Sequence, residues 1–134
     1  MEAKLKHLEI IQGVITRMAQ NSFLLKGWSV TLTAALFALA AKDANTRFVV
    51  IALLPALVFW GLDGYFLRQE RLFRKVYDQV RVRSPELIDF SMDTRSFQQE
   101  VAGWFAVTTS NTLLAFHLPV VLVIGSVGVY FYSP

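Results

Sequence analysis

A chain of 134 residues makes one domain, and 54% hydrophobic residues with a mean hydropathy of +0.45 is more apolar surface than a soluble domain of this size can bury. The absence of cysteine excludes disulfides, thiolate metal sites and cysteine nucleophiles. The net charge of +3 does not read as a nucleic-acid surface, because the basic residues flank apolar runs as side chains that meet lipid headgroups do.

The first element, within residues 1–22, is an amphipathic helix. Leu8, Ile11, Ile15, Met18 and Ser22 recur at alternating steps of three and four, while Lys6, Glu9, Gln12, Arg17 and Gln20 fill the remaining faces. It is too polar to span a bilayer and lacks the apolar core and cleavage site of a signal peptide, so it is expected to lie at the membrane surface or pack on cytosolic helices. A first transmembrane helix follows over 23–41, with Lys26 reaching back to the headgroups and Trp28 beside it at the interface. The polar stretch Lys42 to Arg47 is a hairpin loop, so the next span must be an antiparallel neighbour.

That second span covers 48–67 and keeps its helical pattern to about Val82, with Phe66, Phe73, Val76, Tyr77 and Val80 on one side. Pro55 is expected to kink it inside the bilayer. Residues 83–94 form a linker in which Ser84-Pro85-Glu86 looks like a helix start, and Glu86, Asp89 and Asp93 step along it as an exposed acidic turn. The last helix, 95–132, begins amphipathic, with Phe97, Val101, Trp104 and Thr108 at helical spacing. It becomes the third span from Thr112 to Tyr132, ending in the aromatic belt of Tyr130, Phe131 and Tyr132.

The expected fold is therefore all-α: an integral membrane protein of three transmembrane helices with an amphipathic N-terminal helix and cytosolic helical extensions. Eleven of the thirteen Lys and Arg residues fall on one side of these spans, which predicts a cytoplasmic amino terminus and middle segment and an extracytoplasmic carboxyl terminus. In the cytosolic bundle the stripe of the first helix should meet Phe73, Val76 and Val80.

Several stretches carry a resemblance: Lys6-His-Leu-Glu-Ile-Ile-Gln12, Arg17-Met18, Asn21-Ser-Phe23 and Lys26-Gly-Trp28, then Phe59-Trp60, Leu62-Asp63, Tyr65, Gln69-Glu-Arg71, Phe73-Arg74 and Tyr77. Over about residues 6–78 the chain resembles a recurring family of small, uncharacterised bacterial multi-span inner-membrane proteins. The resemblance implies a bacterial inner-membrane location and no particular activity. By analogy, some similar small multi-span proteins act as membrane effectors of anti-phage systems.

The candidate site residues follow from geometry. The midpoint between Lys26 and Asp63 falls in the hairpin loop, between Ala44 and Asn45, so the two charges sit at equal depth on neighbouring helices and can pair. Such a pair either fixes hairpin register or takes part in ion or proton movement. His117, inside the third span, either titrates near neutral pH or hydrogen-bonds a neighbouring helix, and Pro119 frees the carbonyl of Ala115. Thr112, with the preceding run from Thr108, either lines a wet vestibule or bonds its own helix. Gly27, Thr31, Ala34, Ala38 and Ala41 form a small-residue stripe on the first span, and Gly125, Ser126 and Gly128 thin the third, which fits self-association or packing within the protomer.

No histidine has a metal-ligand spacing, no glycine-rich phosphate loop is present and no serine stands beside a recognisable base, so neither catalysis, cofactor nor metal is expected. Two function classes fit. One is a homo-oligomeric, channel-like or membrane-perturbing effector. The other is a membrane anchor or scaffold whose cytosolic bundle recruits a protein partner.

Overall fold

The computed structural model describes residues 1–43 and 45–133, and among them there is only helix, turn and irregular backbone. Ala44, at the centre of the expected hairpin, lies outside the described residues. Helix α1 runs over Glu2–Asp43, α2 over Arg47–Ile51, α3 over Leu53–Val82, α4 over Trp104–Thr108 and α5 over Asn111–Tyr132. Three helical stretches, Glu2–Lys42, Arg47–Val82 and Asn111–Tyr132, are long and apolar enough to cross a membrane.

The expected division of the first 41 residues into a surface helix and a separate span is corrected by the structure: α1 is one continuous helix. The change at residue 22 is one of surroundings and not of backbone. No proline interrupts this stretch, and once a helix is nucleated each further residue adds a hydrogen bond at little cost. The opposite holds at Pro55. It has no N–H to donate and its ring crowds the carbonyl of Ile51, where α2 ends, and the regular helix is interrupted at Ala52, although the backbone there keeps helical angles (φ −61°, ψ −24°).

The helix expected over 95–132 is likewise broken. Arg95–Phe97 is a single 3-10 turn, Gly103 is extended (φ −64°, ψ 167°), and α4 is only five residues long. Thr109 turns its hydroxyl onto the Phe105 carbonyl at 2.9 Å, and Ser110 is extended before α5 begins. Short polar side chains that bond their own backbone compete with helix propagation at the end of α4, as Gly103 interrupts it at the start.

Two apolar clusters hold the elements together. In the first, Ile11 and Ile15 of α1 pack with Leu72, Val76 and Val80 of α3, and Leu8, Phe73 and Tyr77 flank them. The segment 83–103 forms a strap over this cluster, contributing Phe97 to its centre and Ile88, Met92 and Val101 to its edge. These parts form a head at one end of the molecule. The second cluster joins Ala40 of α1, Val49 and Ala52 at the α2–α3 junction, Ala56 of α3 and Ile124 of α5. Helix α3 is the centre of the bundle; it packs along α1 and against α4 and α5, whereas α1 and α5 meet only sparsely.

The strap is anchored by polar contacts as well. Arg68 donates to the Ala102 carbonyl at 3.1 Å and to Gln98 Oε1 at 2.8 Å, and His7 Nε2 donates to the Ser91 carbonyl at 2.9 Å. Of the three linker acids, Asp89 accepts the Ser91 N–H and Asp93 the Arg95 N–H, so both act as turn formers. The Arg95 guanidinium holds the Asp93 carboxyl down to about 2. A carboxyl depressed in the folded state adds stability above its unfolded value of 3.8, and the turn loses that support only as pH falls through about 2.

Helix α4 docks where α3 has no side chains. A Cβ on Gly64 would stand 2.1 Å from Thr108 Oγ1, and one on Gly61 3.3 Å from Trp104 Cζ2. Gly64→Ala should therefore force α4 away and destabilise the fold by about 1–3 kcal/mol, the usual cost of overpacking, with Gly61→Ala milder. Unfolding of the purified variants in detergent, followed by tryptophan emission, tests that order.

Candidate functional site

The most polar point of the interior is a carboxylate. Asp63 of α3 is fully buried and accepts hydrogen bonds from two other helices. Lys26 Nζ and His117 Nε2 each lie 2.6 Å from Asp63 Oδ2, and the Ser22 hydroxyl donates to Oδ1. Lys26 also donates to Ser22 Oγ at 2.9 Å, one helical turn back on α1. A single carboxylate thus joins α1, α3 and α5.

The carboxylate oxygens of Asp63 can only accept, so His117 carries a proton on Nε2, and with the Lys26 ammonium and the Ser22 hydroxyl it completes a set of three donors around one acceptor group. This tautomer is assigned from the hydrogen-bond network. Nδ1 of His117 has no hydrogen-bond partner. The imidazole is wedged by aromatics: Trp60 stacks on it with ring centroids 5.8 Å apart and an interplanar angle of 7°, and Phe116 meets it edge-on at 5.0 Å. The Lys26 ammonium lies 5.9 Å from the centre of the Phe116 ring, and its side chain keeps 23% of its exposure. Trp60 in turn donates its indole N–H to the Thr108 carbonyl at 2.8 Å, and Trp104 donates to Gly61 at 2.9 Å, so α4 closes the site on the strap side.

The structure brings Lys26, Asp63 and His117 together and leaves the other sequence candidates elsewhere. Thr112 is exposed in the first turn of α5, outside the cluster. Gly27, Ala34 and Ala38 are exposed on α1, as is Thr31, whose hydroxyl bonds the Gly27 carbonyl at 2.8 Å. Gly128 faces α2, where a Cβ would meet Val49 at 3.8 Å, whereas a Cβ on Gly125 would meet nothing.

Ser22 and Trp60 were not among the sequence candidates. Ser22 was legible in principle: it stands four residues before Lys26, hence on the same face. For Trp60 there was no signal, since an aromatic near a membrane boundary ordinarily reads as an interface anchor.

Ser22 donates to the carboxylate and not to the imidazole, so the order of a nucleophile activated by a base is not formed. Among the described residues no group of three or more His, Asp or Glu side chains is placed to hold a metal ion.

Removing Asp63 takes the shared acceptor from Ser22, Lys26 and His117, although Lys26, at 23% exposure, can turn outward. Asp63→Ala should lower the stability of the purified protein by about 1–3 kcal/mol, while the apolar double replacement Lys26→Met with Asp63→Leu should recover a large part of it. Denaturation in a lipid-like detergent reads both, and equal losses in the two variants would contradict the pairing. No family model, curated protein or solved structure matches the chain, so the reading of this site rests on its own geometry.

Proposed function

We propose that the chain is a non-enzymatic integral membrane scaffold of the bacterial cytoplasmic membrane. It crosses three times, self-associates through its spans and presents its head to a cytosolic protein partner. The observation that carries this reading is the inward direction of its charge. Within the apolar segments 23–41, 48–67 and 112–132 the charged and imidazole side chains, Lys26, Asp63 and His117, turn inward and meet one another in one protomer. The outward residues are almost all apolar: Val30, Leu39, Leu54, Leu57, Leu122 and Val123 are typical. An aqueous pore between copies needs a shared polar face. Thr31, Thr112 and Ser126 are too few and too scattered to supply one, so the channel-like effector is the weaker reading.

The depth of insertion is supported by exposed aromatics. Phe23, Trp28, Tyr65, Trp104 and Phe105 are exposed near the level of the Lys26–Asp63 pair, and Tyr130, Phe131 and Tyr132 at the far end of α5. From that level the first half of α1 projects roughly 30 Å, at 1.5 Å per residue. The head carries an open groove of about 470 Å³ lined by Gln12, Ile15, Thr16, Gln20 and Arg74, with Phe23 toward the membrane end. The exposed stripe of Gly27, Thr31, Ala34 and Ala38 permits close backbone approach of a second copy.

Topology follows from the basic residues. A single cysteine placed anywhere in 68–83 should be shielded from an impermeant reagent in intact cells, whereas one at Lys42 or Arg47 should be modified; labelling of the 68–83 segment from outside would overturn the orientation. For the function itself, the purified chain in liposomes should pass no ions above protein-free vesicles, and Ala34→Leu with Ala38→Leu should reduce its mass in detergent. Protein-dependent conductance would reject the scaffold reading in favour of the channel.

A further inference from the structure

Polarity on α1 does not end at Lys26. Ser29 and Thr33 continue the series 22, 26, 29, 33, which lies on one helical face. Ser29 is only 1% exposed. Its hydroxyl, that of Thr33 and Nδ1 of His117 are buried and have no hydrogen-bond partner. Unpaired polar atoms are costly at this depth, where the surroundings offer no compensation. Their levels also agree. The Lys26 ammonium sits over Phe116 and Thr33 faces Pro119 and Val120 across a groove, so Ser29, between them, stands at the level of His117.

The two ends of this polar row differ. Toward the head, the Lys26 side chain is 23% exposed and Ser22 9% exposed. Past Thr33 the same face of α1 becomes Leu36, Phe37 and Ala40, which join Val49, Ala52, Ala56 and Ile124 in the apolar cluster. One end opens toward the interface and the other is closed by hydrocarbon.

We infer that the cluster is a proton-binding site reached from the head side of the membrane only, with His117 Nδ1 as the acceptor. Uptake adds one proton to the neutral imidazole and breaks no bond. The groups that face His117 are Ser22 and Lys26 from α1, Asp63 and Trp60 from α3, and Phe116 beside it on α5. The only anion among them is Asp63, so an imidazolium competes directly with Lys26 for it. Protonation thus exchanges the partner of Asp63 from Lys26 to His117, and Lys26, already partly exposed, extends to the headgroups. The coupling between α1 and α3 loosens while that between α3 and α5 tightens. The closed end prevents the site from conducting.

The inference rests on the embedded arrangement proposed above, and the stacked indole supplies its readout. In vesicles carrying the full chain with Trp28→Phe and Trp104→Phe, the remaining Trp60 emission should fall reversibly on acidification, as an imidazolium forms against it. The fall should be immediate for molecules whose heads face the acidified medium and should require a protonophore for the rest. His117→Gln should abolish it. Lys26→Met, which removes the competing cation, should move the titration to higher pH, and Ser29→Ala with Thr33→Val should move it to lower pH. Emission indifferent to pH, a titration that survives His117→Gln, or a response driven from the closed side would overturn the proposal. Cysteine labelling of the head in the same vesicles distinguishes the two failures. A chain not inserted with its head on one face fails the topology, and a correctly inserted chain without the response fails the proton site.

Discussion

A carboxylate with no solvent exposure, lodged among helices whose outer faces are hydrocarbon, is the constraint on which the arrangement depends. Alone, a buried ion costs several kcal/mol after relaxation. Asp63 offsets that cost with donors from two other helices, and the way it does so determines their placement. Ser22 and Lys26 stand one turn apart on α1 and bind the two oxygens of one group, which fixes both the rotation of α1 and its height against α3. Helix α5 meets α1 only sparsely, and within this cluster it contributes a single polar side chain, His117. The same contact that neutralises the charge therefore also tells the third long helix how deep to sit.

Around this point the backbone is drawn close by glycine and tied by indoles. Gly61 and Gly64 leave α3 bare where α4 arrives, and Trp60 and Trp104 each hand an N–H across that junction. Trp60 serves both sides, with its ring on His117 and its nitrogen on the last residue of α4. The strap that covers the head and the cluster that anchors the spans are consequently linked through one side chain. Beyond them the apolar cluster of Ala40, Val49, Ala52, Ala56 and Ile124 seals the opposite half. The molecule is thus asymmetric along its length, polar where the head begins and apolar beyond.

How much of this was legible in the sequence depended on whether a local symmetry existed to exploit. A hairpin has a centre, so Lys26 and Asp63 could be placed at equal depth by counting from it. His117 lies beyond a strap of irregular backbone, where residue number no longer measures height, and its meeting with Asp63 had no such signal. The spacing of Phe97, Val101, Trp104 and Thr108 marked an amphipathic stretch, and in the structure Phe97 and Val101 join the head while Trp104 and Thr108 lie against Gly61 and Gly64 of α3. It did not report the backbone between them, because periodicity records which side is buried, whereas Gly103 and the Thr109–Ser110 turn decide where helical hydrogen bonding stops. The reverse occurred in α1, where a change from amphipathic to apolar composition resembled a boundary although nothing in the backbone required one. Pro55 was expected to kink its span; its missing N–H bears on the carbonyl four residues earlier, and the interruption of regular helix stands at Ala52.

Lys26, Asp63 and His117 form one inward-facing cluster within a single protomer. Nitrogen-15 spectra of His117 and Lys26 in lipid nanodiscs at neutral pH address it most directly. The Asp63 carboxyl carbon is expected in close contact with both Lys26 Nζ and His117 Nε2 of the same chain. A His117 whose Nε2 has no contact with Asp63, or a Lys26 ammonium whose nearest carboxylate belongs to another copy of the chain, would contradict that arrangement.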